Sequence, residues 1–142
     1  MNPNVRFKQL HSNDLEAVIV HHSATPADRE VTAKDIDAWH RERGWLAVGY
    51  HWIIRRDGCI EPGRFVDQMG AHAGPDWNDR SIGICMVGGL AEDGVSAEDN
   101  FTDDQYRSLA ALLKTVREDL EIKLHKDVSN TACSEVDLNR VS

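Results

Sequence analysis

Ala17-Val18-Ile19-Val20-His21-His22-Ser23 contains the reading that settles the fold class. Its four consecutive apolar residues, rich in β-branched side chains, fit a strand buried on both faces, because a half-exposed strand would alternate apolar with polar. The apolar run ends abruptly at His21-His22-Ser23, so two imidazoles and a hydroxyl are delivered to the carboxyl end of that strand.

Other segments arrange themselves around it. Ser81-Ile82-Gly83-Ile84-Cys85-Met86-Val87, closed by Gly88-Gly89, reads as a second central strand. Tyr50-His51-Trp52-Ile53-Ile54-Arg55 followed by Arg56-Asp57-Gly58-Cys59-Ile60-Glu61 predicts a hairpin, since Asp-Gly accepts the positive φ angles of a tight turn. Ile122 and Leu124 alternate with polar neighbours in a short strand that ends at His125. Between the strands, Thr32 precedes Ala33, Ile36 and Trp39 at helical spacing, and Gly44 provides a stop, which predicts a helix over Ala33 to Arg43. Thr102-Asp103-Asp104-Gln105 is a capping box, with Phe101 and Tyr106 spaced for a hydrophobic staple. Leu109, Leu112, Leu113, Val116 and Leu120 continue that helix's apolar stripe. Strands interleaved with two long helices define an α/β domain of two or three layers.

Size and composition agree. The 142 residues, 41% hydrophobic and 28% charged, suit one globular domain spanning residues 1–142, and no internal repeat or low-complexity tract divides them. No apolar stretch approaches the roughly 20 residues that cross a bilayer, which excludes membrane insertion by helices. A net charge of -8 repels phosphate backbones, so specific nucleic-acid binding is not expected; Arg41, Arg43, Arg55 and Arg56 are the candidates for any basic patch. The opening Met1-Asn2-Pro3-Asn4-Val5-Arg6-Phe7-Lys8 has neither an apolar core nor a small-residue cleavage site, which predicts residence in the cytoplasm where it is made.

Three cysteines, Cys59, Cys85 and Cys133, are too few and too scattered for a disulfide framework. Cys59 and Cys85 fall within predicted strands and are expected to be buried. Seven histidines are many for this length, and imidazole and thiolate are the donors zinc prefers. His125 and Cys133 are separated by a seven-residue loop, Lys126 to Ala132, that can curl both side chains onto one ion; His21 can supply a third donor, leaving a fourth position open. Against this stands the commoner state of such residues: a lone histidine at a strand end is usually a hydrogen-bonded structural group, and a lone cysteine a small buried hydrophobe. His11 and His40 are expected to be solvated; His51 and His72 are either proton carriers, substrate contacts or packed residues.

Several runs in order, however, resemble one family. Val20-His21-His22-Ser23-Ala24-Thr25, Trp39-His40, Gly44 to Ile54, Arg56-Asp57-Gly58, Gly63-Arg64, His72-Ala73, Asn78 with Ser81 to Cys85, Val87-Gly88-Gly89 and Asn100-Phe101-Thr102 are similar to the zinc-dependent N-acetylmuramoyl-L-alanine amidases related to peptidoglycan recognition proteins, and most of all to their short phage members. The resemblance runs from about Val5 to Arg140. It implies a central mixed β-sheet flanked by helices, and a zinc ion held by His21, His125 and Cys133. It also implies hydrolysis of the amide between N-acetylmuramic acid and L-alanine in peptidoglycan.

The resemblance places two further residues in the site. Tyr50 falls on the family's active-site tyrosine, where its hydroxyl can hydrogen-bond an oxyanion; otherwise it is an aromatic packing residue. Thr131 stands two residues before the cysteine ligand, where the phage members carry a lysine and catalytic recognition proteins a threonine. A neutral hydroxyl gives a hydrogen bond about half as strong as a charged one. Ser134 replaces the usual proline. The implied role is a monomeric endolysin, held in the host cytoplasm until a holin lets it reach the periplasm or wall. Two alternatives remain at this point: a non-catalytic peptidoglycan-binding module, disfavoured by the presence of Cys133, and a lysin that also binds and restrains phage RNA polymerase.

Overall fold

The computed structural model describes residues 7–116, 119–128 and 136–141. Along the chain run β1 (Ala17–His22), β2 (Thr25–Pro26), α1 (Ala33–Glu42), β3 (Trp52–Ile54), β4 (Ile60–Pro62), β5 (Ser81–Met86), β6 (Gly89–Leu90), α2 (Asp103–Thr115), β7 (Glu121–Leu124) and the single turn α3 (His125–Val128). The main sheet has five strands in the order β4-β3-β5-β1-β7, while β2 and β6 form a separate parallel pair. Only β3 with β4 is antiparallel, so the sheet is mixed, as the resemblance implied.

The strand read first from sequence is central. Every residue of β1 is buried, with β5 on one side and β7 on the other. Its apolar run has neighbours on both faces because successive side chains point in opposite directions. Val18, Val20, Ile82, Ile84 and Ile54 pack with Tyr106, Leu109 and Leu112 of α2 on one face. Ile53 and Cys85 point the other way, against Ala33 and Ile36 of α1, and Ala17 and Ile19 meet Ala73 and Trp77 of the long connection between β4 and β5. Helices on opposite faces make three layers, and each fully buried Val or Ile contributes about 1.5–3 kcal/mol to holding them together.

Local chemistry sets the element ends. Thr32 and Asp35 form a capping box at α1, and Thr102 with Gln105 does the same at α2, where the rings of Phe101 and Tyr106 meet edge to face at 6.1 Å. The β3–β4 hairpin closes on Gly58 at φ 86°, a conformation an L side chain resists. The helix α2 ends at Thr115, before Val116, although Val116 and Leu120 still reach the core that its stripe faces.

Two burial expectations are overturned. Cys59 is exposed rather than buried, because it lies in the hairpin turn rather than in a strand. His40 is 6% exposed rather than solvated: it faces inward from α1 and accepts a 2.8 Å hydrogen bond at Nδ1 from the Gly49 amide. Among the described residues no helix is long and apolar enough to cross a membrane.

Candidate active site

The β1–β7 register brings the first two expected ligands together. Pairing runs in parallel from Ala17 opposite Glu121 to Val20 opposite Leu124; His21 is the next residue of β1, and His125 opens α3 immediately after β7. Their ring centroids lie 4.3 Å apart. His21 shares its strand face with Ala17 and Ile19, the face covered by the β4–β5 connection.

Tyr50, just before β3, brings its ring to 5.1 Å from that of His21. It is partly buried against the core beneath α1, so it serves as a packing residue as well as a neighbour of the imidazole pair. His21 also meets His72, whose Nδ1 lies 2.9 Å from His21 Nε2. Tyr50, His72 and His125 line a cleft of about 440 Å³ together with His40, Arg43 and Trp45, with His21 buried beside them. Thr131 and Cys133 lie outside the described residues.

His40 holds the loop that carries Tyr50. Its ring stands 4.5 Å from Trp45 and 5.5 Å from Tyr50, while Asp37, one turn earlier on α1, accepts from the Val48 amide at 2.7 Å. Arg64 ties the same loop from the other side through Val48 O and Met69 O, at 2.9 and 2.6 Å. His51 is structural: its Nδ1 accepts from the Gly83 amide at 3.0 Å, leaving Nε2 to donate to Gln68 O at 2.7 Å. Sequence reasoning expected His40 to be solvated and left His51 open because hydrogen bonds to distant backbone amides leave no local signature in the pattern of residue types.

Electrostatics keep the site's imidazoles neutral. Burial, reinforced by His72, His125 and His22, holds His21 well below the ordinary imidazole range. Burial lowers His125 as well, and burial with His51 nearby takes His72 to about 3. A neutral imidazole is the form that coordinates a cation, and two such rings 4.3 Å apart can donate to one ion. Among the described residues no group of three His, Cys, Asp or Glu side chains is arranged to hold a metal; the third expected donor, Cys133, is outside them.

The arginines named as a candidate basic patch have other partners. Arg41 pairs with Asp37 at 2.7 Å and Arg55 with Asp57 at 2.7 Å, and Arg56 donates to Gln105 at 3.2 Å. Arg43 instead lies over the Trp45 ring at 5.5 Å, on the cleft.

A mixed sheet covered on both faces, with two histidines converging beside a tyrosine at a cleft, defines an α/β protein with an imidazole-lined site. Residues 11–136 match the family model for N-acetylmuramoyl-L-alanine amidase, and the chain belongs to that family. It is 44% identical over 139 residues to an endolysin of Escherichia phage T7, covering 96% of this chain and 89% of that protein. It is 34% identical over 120 residues to peptidoglycan recognition protein 1 of Bos taurus, covering 80% of this chain and 63% of that one. Among solved structures, the N-acetylmuramoyl-L-alanine amidase LysC from Clostridium intestinale is similar with a TM-score of 0.76 and 30% identity, over 96% of this chain and 91% of its own.

Proposed function

We propose that this chain is a zinc amidase that cuts the bond between the lactyl group of N-acetylmuramic acid and the L-alanine of the stem peptide, acting as a phage endolysin. The observation that carries this reading is the convergence of His21, His125 and Tyr50, the last two on the wall of a cleft, in a chain of the amidase family.

His21 and His125, with Cys133, are the residues that would hold the ion. Zinc in such a site lowers the pKa of the water it binds toward ~7 and polarises the scissile carbonyl. The chain's own groups do the rest. The buried rings of His21 and His72 keep bulk water from one side of the site. The Tyr50 hydroxyl donates a hydrogen bond to the oxyanion as the carbonyl carbon becomes tetrahedral, and the Thr131 hydroxyl adds a neutral one. Trp45 offers an aromatic face for a sugar ring, and Arg43 a charge for a stem-peptide carboxylate, from the cleft wall.

The protein works as a monomer in this reading, stays in the host cytoplasm until a holin opens the membrane, and then meets the wall from inside. Any contact with phage RNA polymerase would use a surface independent of the metal, so it should survive loss of the ligands.

The decisive experiment digests purified Gram-negative sacculi with and without a chelator and identifies the products by mass spectrometry. Stem peptides with a new L-alanine amino terminus, beside intact glycan strands, are expected; chelation should stop their release and zinc should restore it. Binding to sacculi without release would leave a recognition module in place of the enzyme.

A further inference from the structure

His72 lies in a built cradle. A Cβ on Gly83, in the middle of β5, would come within 2.6 Å of His72 Cγ, and one on Gly70 within 2.6 Å of His72 Cδ2. Those distances are closer than any real Cβ contact, so both positions must lack a side chain for the ring to lie where it does. Asn78 fixes the backbone beneath it by accepting from the amides of His72 and Ala73 at 3.1 and 2.9 Å. The motif residues His72-Ala73, Asn78 and Ser81-Ile82-Gly83 thus converge on the placement of one imidazole.

The hydrogen bonds around that ring have a direction. Ser81 Oγ lies 2.7 Å from Trp77 O, which can only accept, so the hydroxyl hydrogen is committed there. His72 Nε2 lies 3.4 Å from the same Oγ and meets a lone pair, so Nε2 carries the proton. The other nitrogen of a neutral His72, Nδ1, is then an acceptor, and its partner at 2.9 Å, His21 Nε2, must donate. That leaves Nδ1 of His21 with the lone pair.

We infer that His72 is a positioning residue that fixes the tautomer of His21, so that His21 offers Nδ1, and not Nε2, to the metal. The inference rests on the zinc reading above for its consequence, but the tautomer itself is a property of the protein alone. The Trp77 carbonyl, Ser81, His72 and His21 form a relay in which each group dictates the next. An unsupported imidazole would divide itself between two tautomers and rotate, and a ligand oriented by a second hydrogen bond binds its ion more tightly.

The test reads ring nitrogens directly. Long-range 15N–1H correlation spectra of the full chain, metal-free at neutral pH, should show His21 protonated at Nε2 and bare at Nδ1, and His72 likewise. A His21 protonated at Nδ1 would overturn the assignment even if zinc binds. Zinc affinity, measured by competition with a chromophoric chelator, should fall roughly 10- to 100-fold in His72→Ala. His72→Gln, whose side-chain carbonyl can accept from His21 Nε2, should recover part of the loss. Ser81→Ala leaves the His72 ring and its cradle intact, and tests the relay should the larger change unfold the chain: His21 should then populate both tautomers. Unchanged zinc affinity in folded His72→Ala would refute the role. If the wild-type chain takes up no zinc, the amidase reading fails while the nitrogen spectra still decide the tautomer.

Discussion

His21 follows the last residue of β1 that pairs with β7, His125 opens α3 directly after the last paired residue of β7, and their rings stand 4.3 Å apart. Two residues 104 positions apart in the chain are therefore brought together where two paired parallel strands end, rather than by a long loop. Replacing either imidazole removes one of the two donors that converge there. His21→Ala and His125→Ala should each release the ion and cut peptidoglycan hydrolysis by at least about 10³-fold, equivalent to about 4 kcal/mol. Bound zinc per chain and peptide release are the two measurements; full activity with either ligand gone would sink the assigned site.

Tyr50 combines two roles that one substitution separates. Its ring packs beside His21 and His40 at 5.1 and 5.5 Å, whereas its hydroxyl is the group assigned to the oxyanion. Tyr50→Phe keeps the ring and loses the hydroxyl. The rate should fall about 10²- to 10³-fold with zinc content unchanged, and the melting temperature should stay within about 2 °C. A Phe variant as active as the wild type would make Tyr50 a packing residue only.

The elements legible in the sequence were those whose signal is local. Ala17 to Val20 announced a central strand through an unbroken β-branched run, and Thr102 with Gln105 announced a helix start through a box of four residues. The Asp57-Gly58 turn is of the same kind. What escaped was set by contacts between distant segments. Nothing near His40 in sequence reveals that the Gly49 amide will reach its Nδ1, and Cys59 looked like a strand residue because the hairpin turn spends one more residue than the apolar pattern suggests. The pair β2–β6, two residues on each side, carries no periodicity to read. Within the site, His21 and His125 could be named from donor chemistry and strand ends, but His72 could not be told from a packed histidine until Gly83 and Gly70 were seen to make room for its ring.

Gln105 shows how a cap can become part of the core. It is completely buried, and its Oε1 accepts from the Thr102 amide at 2.9 Å and from Arg56 at 3.2 Å. Its Nε2 donates to Ile54 O and Val87 O, at 3.1 and 2.8 Å, where β3 and β5 end. Gln105→Leu would take away the partners of Val87 O and the Thr102 amide, while Ile54 O keeps the Val87 amide at 3.0 Å, a loss of about 2–4 kcal/mol. Gln105→Glu keeps the shape but turns an oxygen toward the two carbonyls, and should cost at least as much. Urea unfolding followed by circular dichroism measures both; a change under about 1 kcal/mol would contradict the bridging role.

Stability should also depend on pH through the buried imidazoles. His40, lowered from 6.5 to about 4 by burial and by Arg43, stays neutral in the folded chain at a pH where the unfolded chain takes up a proton. The unfolded state then binds more protons than the native one, so stability rises with pH across this interval. The contribution is complete above about pH 6.5 and is lost as pH falls toward 4, with a slope of at most about 1.4 kcal/mol per pH unit for one ring. His51, also lowered by burial, adds to the trend in the same direction. The urea midpoint of the wild type should therefore drop between about pH 7 and about pH 4.5. In His40→Gln the protein should be weaker at neutral pH, since the Gly49 amide loses its ring acceptor, but its midpoint should fall less steeply toward acid. Equal slopes in the two proteins would mean that His40 is protonated in the fold, and that the Tyr50 loop is held by Asp37 and Arg64 without it.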